Sequence, residues 1–233
     1  MNYTSDELDK LVDKIREIVE EANRRGLPPH CTKYKDGRKN SAEDEETYLN
    51  IVAKIFSEKF SDINFSINKP RYWADVFVDK LPIHFKSTTG GSDNFSSKRG
   101  ILYSLTDLPL EKIQKVKNDK VIKIIKNDKN KKTRPCIILV YDKNEKKLSV
   151  IDLRSVSERS LIPNGSNLPF QINWNNALND LSVQRTDEEI RDFFICIWAK
   201  SEYKAMMRSY ENYNDLQECR NSNQRCKIEF YQI

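Results

Sequence analysis

The chain has 233 residues, 38% of them apolar, so it can bury a hydrophobic core, and its length favours one domain over residues 1–233. No stretch approaches the roughly 18 apolar residues of a membrane span, and the N-terminus lacks the apolar core of a signal peptide, which predicts a cytoplasmic protein without membrane contact. Lys and Arg outnumber Asp and Glu by 40 to 35, an excess that allows a polyanionic partner without requiring one.

The first part of the chain is predicted to be helical. Apolar residues recur at helical intervals from Leu8 to Ala22, and Gly26 ends this pattern, so we expect an N-terminal helix within residues 1–30. Its apolar stripe would either pack inside the subunit or serve as a dimerisation element. A second helix is expected to begin in the acidic stretch 41–46, because acidic residues suit a helix N-terminus.

The middle of the chain carries the strand signals. Apolar runs with β-branched or alternating residues predict strands within 63–67, 71–78, 81–88, 135–142 and 147–154. Between them, residues 98–132 favour a helix followed by an exposed basic turn. An Asn-rich loop then precedes a long helix over 188–210. This order of elements predicts an α/β domain in which helices flank a central mixed β-sheet.

The hairpin from Asp75 to Lys86 gathers polar residues among apolar ones. Strand alternation places Asp75 and Asp79 on one face of the first strand, and His84 and Lys86 on one face of the second. A short turn near Lys80 folds the two strands together, so Asp75 is expected to approach His84 and Lys86. A carboxylate beside a lysine is suited to binding a divalent cation and stabilising charge on a phosphate.

This pattern resembles the active-site motif of the PD-(D/E)xK nuclease superfamily, which includes most type II restriction endonucleases. The resemblance implies a restriction-endonuclease-like core over 42–155, with a recognition loop and C-terminal helix over 156–233. It also implies a site-specific DNA endonuclease that uses Mg²⁺, for which Mn²⁺ may substitute. Asp75 would be a metal ligand, and Lys86 would orient water or stabilise charge. The small hydroxyl residues after Lys86 are similar to those of enzymes that cut to blunt ends.

His84 stands where the family has its second acid. Neutral imidazole is a poor ligand for Mg²⁺, so His84 would either favour a softer ion such as Mn²⁺ or act outside the coordination shell. Some family members place a glutamate from the preceding helix beside the metal. The candidates for the missing acid are therefore Glu45 and Glu46 on the second helix and Asp79 on the hairpin, with Glu46 also considered catalytic.

Two polar loops are candidates for DNA contact. The loop after Lys86 carries small hydroxyl, amide and basic side chains that suit phosphates and base edges, and the Asn-rich loop carries amides that pair with adenine. The candidate residues are Ser87, Thr88, Thr89, Asp93, Asn94, Lys98, Arg99, Asn164, Asn167, Gln171 and Asn173. They suggest an A·T-rich palindrome, although turn chemistry explains an Asn-rich loop equally well. The basic segment 112–132 would either follow the DNA backbone or form a solvated turn.

A palindrome cut on both strands implies a homodimer with two-fold symmetry on double-stranded DNA. Two alternatives remain open at this stage. One is a repair, phage or non-specific nuclease of the same superfamily, and the other is a non-catalytic DNA-binding protein on a degenerate nuclease scaffold. Other chemistries lack support, since the chain has no GxGxxG, P-loop, GxSxG or HExxH pattern.

Overall fold

The computed structural model describes residues 5–69, 72–95, 97–129, 131–166, 169–180 and 183–222. Its helices are α1 (Ser5–Arg25), α2 (Gly37–Lys59), α3 (Lys98–Leu105), α4 (Leu110–Ile113), α5 (Val121–Asn127), α6 (Trp174–Asn179) and α7 (Asp187–Ser222). Its strands are β1 (Phe65–Ile67), β2 (Val76–Val78), β3 (Leu81–Thr88), β4 (Ser92–Phe95), β5 (Ile137–Asp142), β6 (Lys147–Asp152), β7 (Leu161–Ile162) and β8 (Phe170–Asn173).

Five strands form one mixed sheet in the order β1, β2, β3, β5, β6. The central pair β3 and β5 is parallel, with Ile83 opposite Ile137, whereas the other neighbours are antiparallel. A parallel pair requires a crossover connection, which α3, α4 and α5 provide. Both central strands are buried over most of their length, as expected for strands covered on two faces. The predicted α/β class with a mixed sheet flanked by helices is therefore confirmed.

The first two helices pack within the subunit. Tyr48 of α2 stacks on Tyr141 of β5, with ring centroids 4.0 Å apart. The apolar stripe of α1, from Leu8 to Ala22, is buried, and α1 contacts α2 and β6. Of the two roles considered for this stripe, packing inside the subunit is the one observed.

A smaller sheet joins two distant parts of the chain. Strands β4, β8 and β7 form it in that order, with β8 antiparallel to both of its neighbours. Phe95 of β4 stacks on Phe170 of β8, which stacks in turn on Phe194 of α7. The segment after Lys86 and the Asn-rich segment are far apart in sequence. They are therefore joined in the fold through the pairing of β4 with β8.

Several elements differ from expectation. The strand predicted over 71–78 contains only β2 (Val76–Val78), and residue 71 lies outside the described residues. The segment 98–132 holds three helices instead of one helix and a turn, because Ile113, Val121 and Ile125 are buried and anchor α4 and α5. The late helix α7 begins one residue earlier than predicted and runs twelve residues further. No helix in the described ranges is long and apolar enough to cross a membrane.

The docking of α1 on the sheet gives a testable prediction. Arg154 donates hydrogen bonds to Asp9 of α1 at 2.7 Å and to the buried Asp152 of β6 at 2.8 Å. Arg154→Met would leave the Asp152 carboxylate buried without its charged partner, and we expect a loss of about 3 to 5 kcal/mol in unfolding free energy, measured by urea denaturation. The control Arg16→Met, which breaks an exposed pair with Asp13, should cost less than about 1 kcal/mol. Equal losses would contradict this account.

Candidate active site

A cleft of about 330 Å³ lies between the start of α2 and the exposed end of β3. Its basic and acidic side chains come from three elements that are distant in sequence. Asp44 fixes the start of α2, since it pairs with Lys143 at 3.1 Å and accepts a hydrogen bond from the Cys31 amide at 2.6 Å. The residues that line the cleft are Gly37, Arg38, Ser41, Ala42, Glu45, Phe85, Lys86, Ser87 and Asp93.

Asp75 is held at the point where β2 gives way to the preceding loop. Its amide donates to the Ile83 carbonyl at 3.0 Å, and its carboxylate oxygen Oδ2 accepts from the Phe85 amide at 2.7 Å. The carboxylate thus takes the place of the backbone acceptor that the β2 side would otherwise offer to the Phe85 amide. Burial raises the pKa of Asp75, while the Phe85 amide and the Lys86 charge act against that rise.

Glu45 is the second acid of this site. It lies on the first turns of α2, and burial raises its pKa to about 7, with a further rise from the charge of Asp75 and a decrease from Lys86. The charges of Asp75 and Lys86 both act on the pKa of Glu45, so the three groups lie near one another. Glu45 of α2 and Lys86 of β3 therefore meet in the cleft, and Asp75, the residue before β2, lies near both of them.

His84 is enclosed on the other side of Asp75. Its Nδ1 atom is 3.9 Å from Asp75 Oδ2, and its ring meets the edge of Phe95, with centroids 5.4 Å apart. Burial and the neighbouring charge of Lys86 lower the pKa of His84 to about 3, so the ring is neutral near pH 7. Its Nε2 atom is buried without a hydrogen-bond partner among the described residues and faces Gly100, where a Cβ atom would lie 2.9 Å away.

The other two candidates for the missing acid are not brought into the cleft. Glu46 is exposed on α2 and does not line the cleft, although it is the immediate neighbour of Glu45. Asp79 lies in the hairpin turn with a φ of 51°, where its carboxylate accepts from the Asn64 amide at 2.9 Å. Four residues along a strand separate it from Asp75 by about 13 Å. The structure thus brings together Asp75, Glu45, Lys86 and His84.

The candidate DNA contacts divide into three groups. Ser87 and Asp93 line the cleft, and Asn94 Oδ1 accepts from Asn164 Nδ2 at 3.3 Å and from Gln171 Nε2 at 3.1 Å. Four of the others make contacts within the protein: Thr88 accepts from the Gly90 amide, Lys98 lies over Trp198, Arg99 donates to the Val116 carbonyl, and Asn173 caps α6. Thr89 is exposed, and Asn167 lies outside the described residues.

Two residues of the cleft were missed by the sequence prediction. Arg38 and Ser41 line it from the first turns of α2, because that helix begins at Gly37 and not within the acidic stretch 41–46. The signal that identifies this start is Asp36, whose side chain caps the helix by accepting from the Arg38 amide at 2.9 Å. The start of α2 adds its helix dipole and a basic side chain to the cleft, and both favour an anion there.

The donor set fits a hard cation that keeps much of its water. Across the described residues, no group of three or more His, Cys, Asp or Glu side chains is arranged to hold a metal ion. Mg²⁺ is commonly bound by only one or two carboxylates, with water and substrate phosphate as its other ligands. Asp75 and Glu45 meet that requirement, and burial raises the pKa of each.

Comparison with known proteins adds no assignment. No protein-family model matches the chain, and no curated protein is significantly similar to it in sequence. The chemistry of the site is therefore inferred from its own residues.

The burial of His84 predicts how stability depends on pH. The folded protein keeps the ring neutral down to about pH 3, whereas the unfolded chain takes up a proton near 6.5. Because the unfolded state binds more protons between these values, stability falls as the pH drops below about 6.5. Between about pH 7 and pH 5, we expect wild type to lose about 2 kcal/mol more than His84→Leu in urea denaturation. Parallel losses would mean that the folded ring titrates normally.

Proposed function

We propose that this protein is a metal-dependent endonuclease that hydrolyses double-stranded DNA. One observation carries the proposal: Glu45 and Lys86 line one open cleft, and the charges of Asp75 and Lys86 both act on Glu45, although the three residues come from separate elements. Phosphodiester hydrolysis needs acids that hold a divalent cation, a positive group near the phosphate and room for water and substrate. The cleft offers each of these.

Asp75 and Glu45 are the residues that would hold Mg²⁺ or Mn²⁺. When bound, such a cation polarises a phosphate oxygen and lowers the pKa of its bound water. The raised pKa values of both acids would fall beside a second positive charge, as Lys86 already lowers them in part. The Phe85 amide keeps the Asp75 carboxylate in one orientation, so this acid would not have to reorganise when substrate enters.

Lys86 has the role of the basic group at the phosphate. It lines the cleft together with Arg38, and its ammonium has no carboxylate partner within ion-pair distance in the described part of the chain. A half-exposed lysine of this kind orients a water molecule and stabilises negative charge that develops on phosphate oxygens. His84 is neutral and enclosed by aromatic rings. It would pack against Asp75 and would not bind the cation.

The small sheet is the proposed DNA-reading edge. Asn94 and Gln171 lie opposite each other on β4 and β8, and Asn164 joins them by a hydrogen bond. Amide side chains recognise adenine in the major groove. Asp93, next to Asn94, lines the cleft, so bases read by this edge would lie close to the phosphate that is cut. In its finer form, the proposal is site-specific cleavage of an A·T-rich palindrome to blunt ends by a homodimer, as the resemblance in sequence implies.

Neighbouring glutamates on α2 provide a matched test. Glu45→Gln removes a cation-binding acid, and we expect it to lower single-turnover cleavage of plasmid DNA with Mg²⁺ by at least about 100-fold. Glu46→Gln changes the exposed neighbour and should leave the rate within about threefold of wild type. Asp75→Asn and Lys86→Met should each match Glu45→Gln while DNA binding, measured by gel shift, persists. A loss in Glu46→Gln with none in Glu45→Gln would refute the assignment.

A non-catalytic DNA-binding protein is the second candidate. It is favoured by the presence of a neutral histidine at the place of an acid and by the absence, among the described residues, of three metal-ligating side chains in one group. Wild-type protein that binds DNA but never cuts it with Mg²⁺ or Mn²⁺ would establish that candidate. Discrete bands from a sequenced plasmid would indicate a site-specific enzyme, and a smear would indicate a repair, phage or non-specific nuclease.

A further inference from the structure

The loop before α2 and the first turn of that helix carry a concentration of positive charge. Residues 33–39 include four cationic side chains and one acid, Asp36. All four cations are exposed, and we call them the α2 basic patch, which consists of Lys33, Lys35, Arg38 and Lys39. Because they lie within one short stretch of chain, a polyanion would meet several of them together.

Arg38 differs from every other arginine side chain that the structure describes. Each of the others binds a carboxylate, a carbonyl or a hydroxyl of the protein, as Arg154 binds Asp152. The Arg38 guanidinium has no such partner in the described part of the chain, and it lines the cleft that also contains Lys86. A guanidinium presents paired N–H donors that match two phosphate oxygens, so this position suits a phosphate.

Two lysines beside Arg38 have no carboxylate partner either. Neither Lys35 nor Lys39 has a carboxylate within ion-pair distance among the residues that the structure describes, and the lysines that do form ion pairs lie elsewhere. Gly37 and Arg38 line the cleft, Lys39 follows them directly, and Lys35 lies two residues before Gly37. Both ammonium groups therefore stand near the rim of the cleft.

The segment that carries the patch is held against α2. Asn40 Oδ1 accepts from the Tyr34 amide at 2.9 Å, and Asn40 Nδ2 donates to the Tyr34 carbonyl at 2.8 Å. The Tyr34 hydroxyl donates to Glu43 at 2.9 Å, and the Nζ atoms of Lys33 and Lys39 lie 5.1 and 5.8 Å from the centroid of the Tyr34 ring. Because these contacts lie within the protein, the loop would need little ordering when it binds a polyanion.

We propose that the α2 basic patch binds the sugar–phosphate backbone of the DNA strand beside the cut. Arg38 binds one phosphate at the mouth of the cleft through two N–H groups of its guanidinium. Lys35 and Lys39 bind phosphates further along the same backbone, so the patch directs the strand towards Lys86. This role deepens the proposed function and rests on it, because that function makes DNA the polyanion that enters the cleft.

The salt dependence of DNA binding tests this role. Each phosphate contact releases counterions and contributes about 0.9 to the slope of log affinity against log salt concentration. The triple variant Lys35→Gln, Arg38→Gln, Lys39→Gln should make this slope shallower by about 2 to 3 and weaken binding at about 0.1 M salt by at least about 30-fold. The measurement is fluorescence anisotropy with a labelled DNA duplex of about 20 base pairs, in EDTA so that no metal-dependent cleavage occurs.

A second triple variant controls for net charge. Lys112→Gln, Lys115→Gln, Lys123→Gln removes the same charge from exposed lysines of the basic segment 112–132, none of which lines the cleft. We expect its slope to stay within about 0.5 of wild type. Both triple variants should keep the wild-type thermal midpoint, because the substituted side chains are exposed. Equal decreases in slope would mean that DNA responds only to net charge, and would overturn the inference.

A conservative change tests the paired contact of Arg38. Arg38→Lys keeps the positive charge but replaces the planar set of donors with a single ammonium group. The salt slope should therefore stay at the wild-type value, while affinity for the duplex should fall by about fivefold. Wild-type affinity in Arg38→Lys would reject the paired contact with phosphate.

Two further results would overturn the inference: a patch variant that keeps the wild-type slope, and wild type that does not bind the duplex, including one that binds phosphatidylserine vesicles instead. The outcome is separable from that of the proposed function, because binding is measured without metal. A shallower slope in the patch variant, with no cleavage by wild type in Mg²⁺ or Mn²⁺, would retain the patch and reject the nuclease. Cleavage by wild type, with the slope unchanged in the patch variant, would do the reverse.

Discussion

The hydrogen bond from the Phe85 amide to the Asp75 carboxylate is the contact on which the candidate site depends. It extends the pairing of β2 and β3 beyond Val76, the first residue of β2, with a side chain acting as the acceptor that backbone would otherwise supply. Because β3 is paired on its other edge with β5, the position of this carboxylate is set by the centre of the sheet. Lys86 is the next residue of β3 after Phe85, so the sheet also fixes its position relative to Asp75.

Burial and charge oppose each other in this cleft, and burial has the larger effect. For both Asp75 and Glu45, removal from water raises the pKa more than the nearby Lys86 lowers it. Glu45 is therefore about half protonated at neutral pH. The charge of Lys86 is therefore too small an effect to keep both carboxyl groups ionised. An added cation would stabilise their ionised forms. Cation binding would release a proton, which couples affinity to pH.

Parts of the fold and site that depend on neighbouring residues could be predicted from the sequence. Alternation over residues 81–88 predicts β3, and the turn expected near Lys80 is observed. Asp79, expected on the first strand, instead lies in this turn with a φ of 51°, because β2 ends at Val78. The choice between Glu45 and Glu46 could not be made, because one residue turns a helix by about 100° and the acidic stretch does not show which side faces the sheet. The helical period of α1 likewise indicates an apolar side without indicating what covers it.

The surroundings of His84 show a different limit of sequence reasoning. The residues that enclose it, Trp73, Phe95 and Gly100, come from three segments that meet only in the folded chain. A histidine two positions before a lysine on a strand looks the same in sequence whether it binds a metal or fills a buried space. Only the packing shows that its Nε2 atom faces Gly100, which explains why that position has no side chain.

The cleft and α7 are connected by a short series of direct contacts. Asp93 lines the cleft, its neighbour Asn94 accepts from Asn164, and the Asn164 amide donates to Ser201 of α7. Four residues thus link the proposed cutting site and the proposed reading edge to α7.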